Sequence, residues 1–193
     1  MKKYLLCLAM LVAVSITARA QLSLGIKGGV NFSKIDADNF NESTKTGYQA
    51  GVFARVGGAW YLQPELYLGS SGGNFNSNNS GTAYTADVKF NTLNVPLLLG
   101  RKFGSSGTNL HVMAGPVYSY IMSSDKNFSQ NFNAAYNDFG KYNNSTLGYQ
   151  VGAGVDILGL TADLRYEGGL SKLNQNYGQR ANIWSLSVGF KIL

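Results

Sequence analysis

Leu147-Gly-Tyr-Gln-Val-Gly-Ala-Gly-Val-Asp-Ile157, then Leu158-Gly159, then Leu160-Thr-Ala-Asp-Leu-Arg-Tyr-Glu-Gly-Gly-Leu170 is the stretch that decides the fold. In the first half Leu147, Tyr149, Val151, Ala153, Val155 and Ile157 share one parity, against Gly148, Gln150, Gly152, Gly154 and Asp156. In the second, Leu160, Ala162, Leu164, Tyr166 and Leu170 oppose Thr161, Asp163, Arg165, Glu167 and Gly169. Successive strand side chains point to opposite faces, so this period of two predicts two strands, each with one apolar face, joined by a tight turn.

Working outward, six more runs alternate in the same way, with apolar parities at Leu22–Phe32, Tyr48–Val56, Trp60–Leu68, Leu93–Leu99, Leu110–Tyr120 and Trp184–Ile192. No stretch reads better as an amphipathic helix. The sequence therefore predicts an all-β chain, an eight-stranded antiparallel up-and-down barrel. Pro64, Pro96 and Pro116 fall inside strands, where a residue without an N–H predicts bulges or unpaired positions.

The connections alternate in length. Gly57-Gly58, Gly104-Ser-Ser-Gly107 and Leu158-Gly159 are short, Gly- and Ser-rich turns. Lys34–Lys45, Gly72–Asp87, Ser123–Thr146 and Lys172–Asn182 are long and dense in Asn, Ser, Asp and Gly. Odd and even connections of such a barrel lie at opposite ends. Short turns at one end and long loops at the other are the pattern of an outer-membrane barrel, short end periplasmic. An even strand count puts both termini at that end as well.

Composition fixes which face looks outward. Only 13% of the 193 residues are charged, and Gly (24), Tyr (12) and Phe (10) take up the difference. In a soluble ligand-binding barrel the Gly, Ser and Gln parity would form the surface, with little charge to keep it in solution. In a membrane barrel the Leu, Val, Tyr and Trp parity meets acyl chains and the small polar parity fills a narrow bore. Trp60, Phe103, Tyr120 and Trp184 sit where interfacial aromatic girdles belong.

Residues 1–20 form an export signal. Lys2 and Lys3 precede an apolar stretch from Leu5 to about Ala18, and Ala18-Arg19-Ala20 is an A-x-A cleavage triplet, so the mature barrel domain spans 21–193. Cys7, the single cysteine, leaves with the signal, which excludes a disulfide framework. Removing Lys2, Lys3 and Arg19 halves the net charge of +6, which weakens any case for nucleic acid as a partner.

On this register the inward parity carries four cations, Lys27, Arg55, Arg165 and Lys191, and four anions, Glu65, Asp156, Asp163 and Glu167. A bore of eight strands is filled by side chains. Isolated charges there cost several kcal/mol each by the usual desolvation estimate, roughly, so the equal count predicts a paired plug. Arg165 can fork to a carboxylate, with Glu65 the favoured partner across the barrel. His111, the single histidine, falls near a short turn without a serine partner in register, which points to a structural or interface role rather than catalysis. Gly25-x-x-Gly28-Gly29 lies in a strand with no helix after it, so it is no nucleotide fingerprint. No catalytic, cofactor or metal site is expected. The Asn-rich loops read as solvated segments.

Several stretches carry a family resemblance. Gly25-Ile-Lys-Gly-Gly-Val-Asn-Phe-Ser33, Leu62-Gln-Pro-Glu-Leu66, Leu93-Asn-Val-Pro-Leu-Leu-Leu99, Ala114-Gly-Pro116 and Ser187-Val-Gly-Phe-Lys191 resemble the PorT-type outer-membrane barrels of Bacteroidetes. The resemblance runs over residues 21–193. It implies an outer-membrane β-barrel without fixing one activity, its namesake being associated with secretion and gliding. The chain departs from many such barrels in ending Lys191-Ile192-Leu193 rather than on an aromatic residue. The expected partners are outer-membrane lipid and envelope or secretion-machinery proteins met through the long loops. The expected role is structural or interaction-based, with a narrow channel, a rim enzyme and a soluble ligand-binding barrel as the alternatives.

Overall fold

The computed structural model of the protein describes residues 22–36, 41–79, 82–105, 107–128, 145–171 and 180–193. The signal segment and its cleavage triplet lie outside them. The strands are β1 (Leu22–Asp36), β2 (Asn41–Ser43), β3 (Lys45–Gly57), β4 (Trp60–Asn79), β5 (Thr82–Ser105), β6 (Thr108–Phe128), β7 (Ser145–Ile157), β8 (Leu160–Gly169) and β9 (Arg180–Lys191). Short β2 pairs only with the far end of β4, through Asn41–Asn76, Glu42–Phe75 and Ser43–Asn74. The other eight are the staves. Each pairs antiparallel with its neighbours in chain order, and β1 closes on β9 through Gly25–Lys191 to Asp36–Arg180.

The predicted short turns stand where the sequence puts them. Leu158 and Gly159 both have positive φ, 48° and 92°, the pair of left-handed residues that matches strand twist in a two-residue hairpin. Leu22, the first described residue, and the C-terminal residues lie beside these turns, and Leu24 bonds Ile192 and Leu193 through the main chain.

The long connections differ from the sequence reading. Gly72–Asn79 and Thr82–Asp87 are paired strand, from Gly72–Lys89 to Asn79–Thr82, and β6 runs on to Phe128. At 20, 24 and 21 residues, β4, β5 and β6 outreach β8, which has 10. A period-two reading looks for an apolar face. Gly72-Gly-Asn-Phe-Asn-Ser-Asn-Asn79 has none, whereas main-chain pairing needs none. Residues 129–144 and 172–179 of the other expected loops lie outside the described residues.

All three prolines leave unpaired positions. The β3–β4 ladder skips Ala54 and Arg55 opposite Pro64 and Gln63; β4–β5 skips Glu65 and Leu66 opposite Pro96 and Val95; β5–β6 skips Leu97 and Leu98 opposite Pro116 and Gly115. Register is unchanged across each gap. The one shift along the β5–β6 ladder falls at Asn91/Thr92, away from the prolines.

The faces are inverted relative to a water-soluble barrel. Leu186 and Val188 are 52% and 57% exposed, and Ser187 between them 2%. Trp60, Phe103, Tyr120 and Trp184 all stand on the outer face. Inside, the buried set is mainly polar or charged. The exception is a set on β3 to β6 made by Phe53, Tyr61, Tyr67, Phe90, Leu98, Met113 and Val117, so the bore is a packed core and not a small-residue lining alone. Gly100 belongs to that packing: a Cβ there would lie 2.2 Å from Cζ of Tyr61, its cross-strand partner.

Candidate functional site: the charged lumen

Strand alternation aims one residue in two at the bore, and closure brings opposite walls within side-chain reach. Around the barrel, β4 and β8 stand diametrically opposed, as do β3 and β7. Two arginines span these diameters. From β8, Arg165 donates Nη1 to Glu65 Oε2 on β4 at 2.8 Å, and Nη2 to its strand neighbour Asp163 at 2.6 Å. From β3, Arg55 donates Nη1 to Asp156 Oδ2 on β7 at 2.7 Å.

The contacts close into a ring. Asp163 Oδ1 lies 2.8 Å from His111 Nε2, and His111 Nδ1 lies 3.7 Å from Asp156 Oδ1. Arg55 Nε donates to Gln63 Oε1 at 2.6 Å, and Gln63 Nε2 donates to Glu65 Oε1 at 2.6 Å, returning to the start. Lys27 adds a 2.5 Å pair to Glu65, and Lys191 a 3.1 Å pair to Asp156 at the short-turn end. Lys27 Nζ stands 4.4 Å over the Tyr67 ring, and the Arg55 guanidinium 4.5 Å over Tyr61. Apart from Lys191, these ion-pair side chains are almost wholly buried. Charges so placed hold only when paired and hydrogen-bonded.

Of the eight expected lumen charges, seven (Lys27, Arg55, Glu65, Asp156, Asp163, Arg165 and Lys191) come together here. Glu167 stands apart, one inward position further toward the long-loop end. It accepts from Gln150 Nε2 at 2.8 Å and lies 3.4 Å from Tyr67 Oη, with no ion pair among the described residues. Beyond it, neutral groups take over. Asn31 donates to the Ser70 and Tyr48 carbonyls, Ser33 to that of Gly72, and Asn94 to Thr92 Oγ1. A small cavity of about 30 Å³ lies between Glu167, Asn94, Ser119 and Thr92.

His111 is the member that sequence reading missed. It is buried between two carboxylates at the level of the arginines. Its signal was register: His111 faces Gly154, which faces Asp163 in turn. A Cβ on Gly154 would lie 2.4 Å from Asp163 Oδ1 and 2.6 Å from His111 Nε2, so this glycine makes the room for their contact. Lys102, also inward, reaches to 5.4 Å from the Tyr61 ring. Chemically, the arrangement can brace and neutralise. Among the described residues no hydroxyl hydrogen-bonds His111, and no three His, Cys, Asp or Glu side chains group as metal ligands.

Comparison with known proteins bears on this architecture directly. The model of the outer membrane protein beta-barrel domain family matches residues 17–175. The chain belongs to that family. No curated protein matches it. Among solved structures, the outer membrane enzyme PagL superposes with a TM-score of 0.54 at 12% identity, covering 87% of this chain and 99% of that one. Neisserial surface protein A gives 0.49 at 14% identity, covering 88% and 97%. Ail of Yersinia pestis, solved with the heparin analogue sucrose octasulfate, gives 0.46 at 14%, covering 89% and 99%. At such identities the likeness is one of fold. For this family member, fold and family agree on an outer-membrane barrel whose apolar outer face meets lipid.

Proposed function

We propose that the barrel is a non-conducting, non-enzymatic anchor in the outer membrane, exported with removal of residues 1–20, and that it acts by holding its extended β4–β6 strands and outer loops toward partners in the envelope. The observation that carries this reading is the pair of arginine braces across neighbouring diameters, Arg165–Glu65 from β8 to β4 and Arg55–Asp156 from β3 to β7, which fill the bore. An ion would have to displace four paired charges to pass. The absence, among the described residues, of a hydroxyl hydrogen-bonded to His111 and the burial of His111 among carboxylates speak against hydrolysis, PagL notwithstanding. The PorT-type resemblance and the reach of β4, β5 and β6 beyond the other staves support a partner in secretion machinery. Planar-bilayer recording of the refolded protein tests the reading. Current should stay at background in the wild type, and stable unitary currents would replace the anchor with a channel.

A further inference from the structure

Arg101 breaks the pattern of the outer face. It is an exposed cation on the lipid-facing parity of β5, paired across the ladders with Trp60 and Val112. Its guanidinium lies 5.2 Å from the Trp60 ring and 5.1 Å from the Phe103 ring, held between two exposed aromatics at the short-turn end. Among the described residues it has no carboxylate partner. Next to it lies a groove on the outer face, lined by Leu99, Ala114 and Val151. Leu99, Ala114 and Val151 form one cross-strand row, in which alanine is the dip between two larger side chains.

A cation on the lipid face is costly at the midplane and tolerated near the interface, so Arg101 marks the boundary of the apolar band. The short-turn end of such barrels faces the periplasm, where the leaflet is built of lipids bearing one phosphodiester each. A guanidinium matches a phosphate oxygen pair bidentately, and the aromatic rings hold its plane in place. The groove is apolar along its walls and begins at the charge. We propose that Arg101, Trp60 and Phe103 form a binding site for one glycerophospholipid of the inner leaflet, its phosphate on Arg101 and one acyl chain along Leu99, Ala114 and Val151.

The test is native mass spectrometry of the full mature chain, refolded in detergent and titrated with phosphatidylglycerol. The wild type should retain one molecule. Arg101→Gln should weaken retention about tenfold, a loss of one charge-assisted contact. Ala114→Leu, which fills the groove without touching the charge, should weaken it comparably. Both substitutions lie on the lipid face, and the gel mobility of the folded barrel checks that each has folded. Diacylglycerol with the same chains, lacking the phosphate, should be held far less, and inorganic phosphate should not compete. Equal retention by the wild type and both variants would overturn the site. So would equal retention of diacylglycerol, or competition by inorganic phosphate. Because the readout is binding in detergent, it stands or falls separately from whether the barrel conducts.

Discussion

Replacing Arg165 with Met removes one of the two cross-barrel braces and keeps an unbranched side chain in its place. The structure sets the size of the effect. Arg165 gives 2.8 Å and 2.6 Å bonds to Glu65 and Asp163. Breaking one partner out of a buried pair costs about 3–5 kcal/mol. Here neither carboxylate is left bare: Glu65 keeps Lys27 and Gln63, and Asp163 keeps His111. Arg165→Met should therefore fall at the low end, about 3 kcal/mol. Glu65→Gln strips Lys27 and one arm of Arg165 of their anion, a loss of similar size. In the double variant Arg165 no longer lacks Glu65, because both are gone. The costs should fall short of additivity by about 1–2 kcal/mol, the coupling of residues in direct contact. The assay is a double-mutant cycle by urea unfolding in lipid vesicles, with bilayer currents recorded on the same four proteins. Additivity within about 0.5 kcal/mol would mean that the two side chains do not meet, and the cross-brace reading would fall.

Three further outcomes follow from the same structure. Leu186→Arg, on the outer face among apolar neighbours, should cost about 2–4 kcal/mol, while Leu158→Arg in the short turn should cost under about 1; equal costs by urea titration would refute the assigned membrane depth. Gly154→Ala drives a methyl into Asp163 and His111 and should destabilise by about 1–3 kcal/mol, read as a lowered urea midpoint; no change would mean that the His111–Asp163 contact is not made. Leu158→Asn replaces a branched residue held at a φ of 48° with one that tolerates it, and should raise stability by about 1 kcal/mol in the same titration, whereas a loss would show that Leu158 makes an apolar contact the turn needs.

Much of the fold was legible because the bilayer imposes a strict code. Apolar parity marked lipid from lumen on every stave, and Gly57-Gly58, Gly104–Gly107 and Leu158-Gly159 fixed the short-turn end. The upward extension of β4–β6 was not legible, since strands that leave the membrane lose the alternation by which they are recognised. In the lumen, parity alone picked out the inward charges. Apart from the cross-barrel pair of Arg165 with Glu65, it did not say which meet, because that depends on register across long connections such as the one from β6 to β7. That is why His111 was read as structural or interfacial with no partner named, although Asp163 stands two strands away in the same row. Tyr61, Leu98 and Val117 were legible as inward positions, but not as an apolar set.

The prolines and the charge network explain one another. Pro64 has no N–H, and the β3–β4 ladder skips Ala54 and Arg55 opposite it and Gln63. Within a membrane, main-chain groups left unpaired find no water and must be offset locally. Across that gap the Arg55 and Gln63 side chains bond each other at 2.6 Å, so a side-chain link stands where the ladder link is missing. Glu65, skipped in the β4–β5 ladder, is gripped by Lys27, Gln63 and Arg165. The interrupted ladders join β3 through β6, whereas β6–β7, β7–β8, β8–β9 and β9–β1 pair without a gap. Both arginine braces run from an interrupted stave to an uninterrupted one, β3 to β7 and β4 to β8. The network thus ties the wall with fewer main-chain bonds to the wall with a full set. Two of its charges, Arg55 and Glu65, sit at the positions where pairing fails, which is where a barrel of this width most needs a second kind of bond.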